Sequence, residues 1–517
     1  MKHRKKLASL LLALVMALSL AVTAFADEST TYSITINNST AGHTYEAYQI
    51  FTGDLATNEA GNKVLSNIVW GSGVSEAGQT ALGDAATKTE TLKTEADAKA
   101  FTKAVAPYLT TAAGSANTVT DGKYVISGLA AGYYLVKDQD GSLIGDNDSY
   151  TEYIIQVVGN VTATPKSDVP EVQKKVKDIN DSTDTTKTDW QDSADYDIGD
   201  SIPFQLKATL ADNVSSYTTY KVVFHDTLSK GLTYNKDAKV YIDGTETNGF
   251  TVTATVNADG TTTLTVSCDD VKALGAGNSS VITVEYTAKL NENAVLGSAG
   301  NPNEVYLEYS NNPNKSEEGN NETGETPKDV VIVFTYKTII NKVDSETKPL
   351  TGAAFKLEKL IKGEDGAADT WTTVKEFAVD GTTTSFTFSG LDDGQYKLTE
   401  TKTPVGYNTI DPIYFVIEAT HGETADVPTL KTLNAYLTDA NGNKQTEMKD
   451  GESVNIDLGT VDLTAGSITT TVVNKSGSEL PSTGGIGTTI FYVLGGVLVL
   501  AAVVLLVTKK RMSGAEK

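Results

Sequence analysis

The residues best suited to chemistry in this 517-residue chain are a short tag near the C-terminus and lysines set among apolar neighbours. Leu480-Pro481-Ser482-Thr483-Gly484 precedes an apolar run over residues 486–507 and the cluster Lys509-Lys510-Arg511. As a helix that run spans about 33 Å, close to the hydrocarbon thickness of a bilayer, and the basic cluster holds its far end in the cytoplasm. The tag therefore faces outward just above the membrane, a cleavage site beside a temporary stop. Upstream, Lys342 shares a strand face with Ile340, Asn474 shares one with Val472, and Lys174 alternates with Val172 and Val176. A lysine held among apolar side chains is disfavoured in its charged form, so its pKa falls and the neutral amine becomes a nucleophile.

The C-terminal arrangement resembles the cell-wall sorting signal of Gram-positive surface proteins. The resemblance implies that a sortase cuts between Thr483 and Gly484 and passes the Thr483 carbonyl to an amine. The membrane helix is then discarded and the mature chain ends at Thr483.

Between Lys342 and Asn474 lie Tyr396-Lys397-Leu398-Thr399-Glu400 and Thr401-Lys402-Thr403-Pro404-Val405-Gly406-Tyr407, and Leu350-Thr351-Gly352-Ala353-Ala354-Phe355-Lys356-Leu357 precedes them. These segments resemble the collagen-adhesin B-type domain, and the likeness covers most of residues 335–478. It implies a spontaneous isopeptide bond between Lys342 and Asn474, assisted by Glu400. The physical logic is that a buried carboxyl, favoured in its protonated form, hydrogen-bonds the amide carbonyl and polarises it while the neutral amine attacks and ammonia leaves. Holding the partners in contact supplies up to about 7–11 kcal/mol of the barrier.

A similar set frames the preceding block. Val305, Leu307, Tyr309 and Asn311 alternate at its far end, and Phe224-His225-Asp226-Thr227-Leu228 lies in its middle. This block resembles the middle domain of major pilins, which implies Lys174 and Asn311 as the bonded pair and Asp226 as the assisting acid. Periodicity alone leaves Lys175 and Asn312 open as alternatives. Each bond would join an early strand to a late one, so a pull on the chain bypasses 311 − 174 = 137 and 474 − 342 = 132 residues. At about 3.3 Å per extended residue, each loop otherwise releases roughly 450 Å of slack.

Lys166 follows Pro165 at the junction of the first two blocks. It resembles the acceptor lysine of the pilin motif, with Thr-Pro-Lys where the family more often has Tyr-Pro-Lys. An exposed lysine near its usual pKa of about 10.4 is seldom neutral at pH 7, so an external enzyme must activate it. One acceptor lysine and one activated threonine per chain suffice for an open head-to-tail polymer. The resemblance thus implies the shaft subunit of a sortase-assembled Gram-positive fimbria, without an enzymatic activity of its own. The expected partners are pilus-specific and housekeeping sortases, identical subunits, peptidoglycan, and minor pilins or host receptors. A monomeric wall-anchored adhesin is the alternative; it shares the sorting signal and the B-type domain but does not use Lys166.

Composition bounds the rest. Lys2, Arg4, Lys5 and Lys6, an apolar stretch over residues 7–22, and Ala24-Phe25-Ala26 read as a secretory signal peptide over residues 1–26. A net charge of −24 argues against nucleic-acid partners, which need clustered Lys and Arg. Cys268 is the only cysteine, so no intrachain disulfide braces this secreted chain. The four histidines are scattered, no His/Cys metal spacing or Ser-His-Asp arrangement is visible, and no cofactor or metal is expected.

Alternating segments such as Tyr32-Ser33-Ile34-Thr35-Ile36, separated by Gly, Asn and Asp turns, predict a mainly β protein of three tandem immunoglobulin-like or B-type β-sandwiches. The expected blocks are residues 27–165, 166–328 and 329–477, followed by the sorting signal at 478–517. Residues 95–109 carry the clearest helical pattern, through Ala98, Phe101, Val105 and Leu109. Residues 311–328, rich in Asn, Glu and Gly, read as a joining loop.

Overall fold

The computed structural model describes residues 30–58, 61–165, 168–183, 189–317, 319, 321–363, 367–449, 452–477 and 486–512. Strands dominate, and the buried apolar side chains gather into successive groups along the chain. The first region has two such groups. One lies between the sheet formed by Lys123–Leu129, Tyr32–Asn37 and Val161–Ala163 and a five-stranded sheet built around Tyr45–Thr57 and Gly132–Asp138. The other packs Phe51 and Leu135 against Phe101 and Val105 of the helix Glu95–Val105. That helix starts where Thr94 and Asp97 form a reciprocal capping box.

The second region is a sandwich of two seven-stranded sheets. One sheet carries Glu171–Lys177, Ser201–Thr209 and Val281–Leu290 as neighbours; the other carries Asp329–Phe334, Asn301–Ser310 and Val222–Leu228. Inward positions alternate along these strands, as in Ile202, Phe204, Leu206 and Ala208, because side chains on a strand point to opposite faces. The strand Asp329–Phe334 pairs with Asn301–Ser310 and, in parallel, with Ser193–Asp195. The second sandwich therefore runs to Phe334 rather than ending at residue 328. The joining stretch also contributes a short strand, Thr323–Glu325, to the same sheet.

The third region packs a four-stranded sheet on a five-stranded one. Tyr336–Asp344 and Ser467–Asn474, its early and late strands, lie side by side in parallel. Their shared sheet faces Ala354–Ile361, Gly394–Lys402 and Ile413–His421 across a core of Phe355, Phe386, Phe388, Tyr396 and Phe415. Beyond it, Ile486–Met512 forms a 27-residue helix. The described side chains alone make no helix long and apolar enough to cross a membrane; the backbone of the helix covers the whole apolar run over residues 486–507.

Candidate functional site

In the second sandwich, Lys174 is fully buried and sits opposite Leu206 in its sheet. Its amine crosses to the facing sheet and donates to Asp226 Oδ1 on Val222–Leu228. It also lies 3.2 Å from the Tyr286 hydroxyl. That hydroxyl donates to Asp226 Oδ2 at 2.5 Å and accepts from Asn303 Nδ2 at 2.8 Å. Asn303 Oδ1 is buried with no hydrogen-bond partner. Burial lowers the Lys174 pKa against the attraction of Asp226, and burial raises the Asp226 pKa against the attraction of Lys174. Both shifts favour a neutral amine beside a neutral acid.

Asn311 is elsewhere. It follows the far end of Asn301–Ser310, eight residues beyond Asn303, which is about 26 Å along an extended strand. Its side chain donates to Leu143 O at 2.8 Å, and its carbonyl accepts from Tyr150 N at 2.8 Å. Asn311 thus joins the second sandwich to the first region and is not brought to Lys174, because parity along a strand specifies a face and says nothing about depth. The sequence alternatives fare no better: Lys175 pairs with the buried Asp192, and Asn312 donates to Glu322. The signal for Asn303 was present, since it shares its face with Val305 and Leu307. Tyr286 likewise shares its face with Val284 and Ala288.

In the third region Lys342, Glu400 and Asn474 are all buried. Parallel pairing sets Lys342 opposite Val472 and Asp344 opposite Asn474. The amine donates to Val343 O at 3.0 Å and Val472 O at 3.1 Å. Burial lowers its pKa, opposed by the charges of Glu400 and Asp344. Asn474 Nδ2 donates to Glu400 Oε2 at 3.0 Å and to Asn408 O at 2.9 Å. Glu400 is fixed from two further sides, by Thr403 Oγ1 and Ile410 N, each at 3.2 Å. Glu400 Oε1 and Asn474 Oδ1 are both buried without hydrogen-bond partners.

Lys166 and the tag Leu480, Pro481, Ser482, Thr483 and Gly484 lie outside the described residues, as does the signal peptide.

Comparison with known proteins gives matches in the same order along the chain. Residues 198–313 match the Cna-B-like domain of Gram-positive pilin backbone subunit 2, residues 337–431 match a prealbumin-like fold domain, and residues 472–513 match the LPXTG cell wall anchor motif. The chain is 26% identical over 450 residues to the trypsin-resistant surface T6 protein of Streptococcus pyogenes serotype M6, covering 76% of this chain and 77% of that one. Among solved structures, the T6 backbone pilin of serotype M6 Streptococcus pyogenes aligns with a TM-score of 0.54 and 19% identity, over 88% of this chain and 100% of that one. The full-length major pilin SpaD from Corynebacterium diphtheriae aligns with a TM-score of 0.50 and 19% identity over the same shares. A pilin backbone domain, a prealbumin-like domain and a cell-wall anchor thus succeed one another in one polypeptide, and together these matches support a Gram-positive major pilin, a cell-wall-anchored protein of the surface pilus.

Proposed function

We propose that this pilus shaft subunit is stiffened by two internal isopeptide bonds, Lys174 to Asn303 and Lys342 to Asn474, and is polymerised by sortase through Thr483 of one copy and Lys166 of the next. The observation that carries the first part is that a buried lysine in each sandwich shares its surroundings with a buried carboxyl and with an asparagine whose carbonyl oxygen is unpartnered. In each bond the neutral amine attacks the carboxamide carbon. The carboxyl, Asp226 or Glu400, hydrogen-bonds the carbonyl and hands a proton to the departing nitrogen. Ammonia leaves, the lysine proton returns to the carboxylate, and a secondary amide remains. Tyr286 holds Asp226 and Asn303 in one hydrogen-bonded chain, which supports Asn303 over Asn311 as the electrophile.

The mechanical consequence follows from the positions. Load entering at Lys166 reaches Lys174 after eight residues, crosses to Asn303, continues to Lys342, crosses to Asn474 and leaves at Thr483. The bypassed segments are 303 − 174 = 129 and 474 − 342 = 132 residues. The first region lies before Lys166 and carries no tension. Sortases, identical subunits and peptidoglycan are the partners of this reading, with minor pilins and host receptors reached through the assembled fibre.

The test is the intact mass of the secreted chain together with the fate of its polymer. Two internal bonds remove two ammonias, about 34 Da by simple stoichiometry. A Lys166→Arg chain, expressed with its sortase, stays monomeric in hot detergent while keeping that mass deficit. A full-mass chain refutes the internal bonds; an undiminished ladder from Lys166→Arg refutes the acceptor.

A further inference from the structure

The junction of the second and third sandwiches holds two groups of acidic side chains, and they differ in one respect. Asp181, Asp197 and Asp392 surround the buried amine of Lys359, with Asp200 alongside, so that group already has its cation. Beside it, Asp178 and Asp195 from the second sandwich meet His421 from the third, with one candidate ligand atom from each within 4.8 Å of the others. Among the described residues no lysine or arginine pairs with Asp178 or Asp195. Asp195 is 2% exposed, and its Oδ2 has no hydrogen-bond partner. The Tyr336 hydroxyl lies beside Asp195, but no paired cation offsets its charge; a carboxylate buried in that way is costly, and a bound cation lowers the cost.

The imidazole is set up for such a ligand. Ser193 Oγ donates to Gly422 O at 3.0 Å, so at its 2.7 Å contact with His421 Nδ1 it serves as acceptor. With the Ser193 hydrogen on Gly422 O, Nδ1 carries the ring hydrogen and Nε2 of the neutral ring presents its lone pair. That nitrogen faces Asp178 Oδ2 at 3.4 Å, too long for a good hydrogen bond and a short approach for two lone pairs. A ring nitrogen oriented through its other nitrogen by a hydrogen-bond acceptor is the usual arrangement of a metal-bound histidine.

We propose that Asp178, Asp195 and His421 form a divalent-cation site that clamps the second sandwich to the third. One imidazole nitrogen with two carboxylates suits a first-row ion such as Zn2+ or Mn2+, with water completing its shell; Ca2+ prefers six to eight oxygens. The donors come from positions 178, 195 and 421, a spacing that no short motif contains. The proposal does not depend on the covalent links.

The full chain, untagged, is stripped with a chelator and dialysed against Zn2+, Mn2+ or Ca2+. Metal content is read by plasma mass spectrometry and the thermal midpoint by calorimetry. One equivalent of Zn2+ or Mn2+ per chain is expected to remain, with an upward shift in the midpoint that the chelator reverses. His421→Ala and Asp178→Asn are each expected to reduce affinity at least tenfold with circular dichroism unchanged. Should His421→Ala fail to fold, the half-buried Asp178→Asn provides the same reading. A wild-type chain that retains neither ion and whose midpoint does not respond overturns the site, as does retention unchanged by Asp178→Asn.

Discussion

Asn303 donates to the Tyr286 hydroxyl at 2.8 Å, and that hydroxyl stands 3.2 Å from the Lys174 amine. The electrophile for Lys174 is therefore expected at position 303. Asn303→Ala should abolish one of the two ammonia losses relative to the mass its own sequence gives, and peptide mapping should find Lys174 free. Asn311→Ala should leave the Lys174 crosslink in place. Its cost should appear at the first junction, where it removes a bond to Leu143 O worth about 1–2 kcal/mol.

The assisting acids can be removed without touching the bonded pair. Asp226→Ala should block the bond in the second sandwich only, and Glu400→Ala that in the third only. In the loop-closure account, a crosslink spanning roughly 130 residues stabilises by about 5 kcal/mol. Each variant should thus lower the melting midpoint of its own sandwich by roughly 10–20 °C in calorimetry, at about 2–4 °C per kcal/mol. A chain with full mass and an unchanged midpoint would show that the link contributes nothing.

His43 gives the first region a pH dependence. It is buried between Asp138 and Asp148, at 2.7 and 2.9 Å, with Tyr45 stacked on it and Tyr124 at its edge. Burial acts to lower its pKa, but the hydrogen bonds and charges of the two aspartates outweigh burial and raise it to about 9. The folded state thus holds a proton that an unfolded histidine releases near 6.5. The stabilisation is complete below about pH 6.5 and is lost as pH rises through about 9, a change of roughly 3 kcal/mol. Hydrogen exchange in Tyr45–Thr57 should accelerate over that window beyond its intrinsic pH dependence, and His43→Gln should flatten the excess.

Gly297 and Gly466 bring the second and third sandwiches together backbone to backbone. Their φ angles are +76° and +58°, and a Cβ on Gly466 would lie 2.5 Å from Gly297 Cα. Gly466→Ala meets both the left-handed backbone and the clash. It should cost about 1–3 kcal/mol and expose the connection near Thr335 to limited proteolysis.

Much of this protein could be read from its residues, because local chemistry and period-2 alternation are properties of short segments. The sorting tag, the strand-rich architecture, the helix at Glu95–Val105 and the grouping of Lys342, Glu400 and Asn474 were all legible in that way. In the third region the strands that carry Lys342 and Asn474 are parallel neighbours, so facing parity and proximity coincide. In the second they belong to opposite sheets, and alternation offered Asn303 and Asn311 equally. Only the register of the Asn301–Ser310 strand against Val222–Leu228, which sets Val305 opposite Asp226, decided which of them shares the Tyr286 hydroxyl with the lysine. The junction cluster of Asp178, Asp195 and His421 was beyond the sequence for the same reason: its members become neighbours only when two separately folded sandwiches dock.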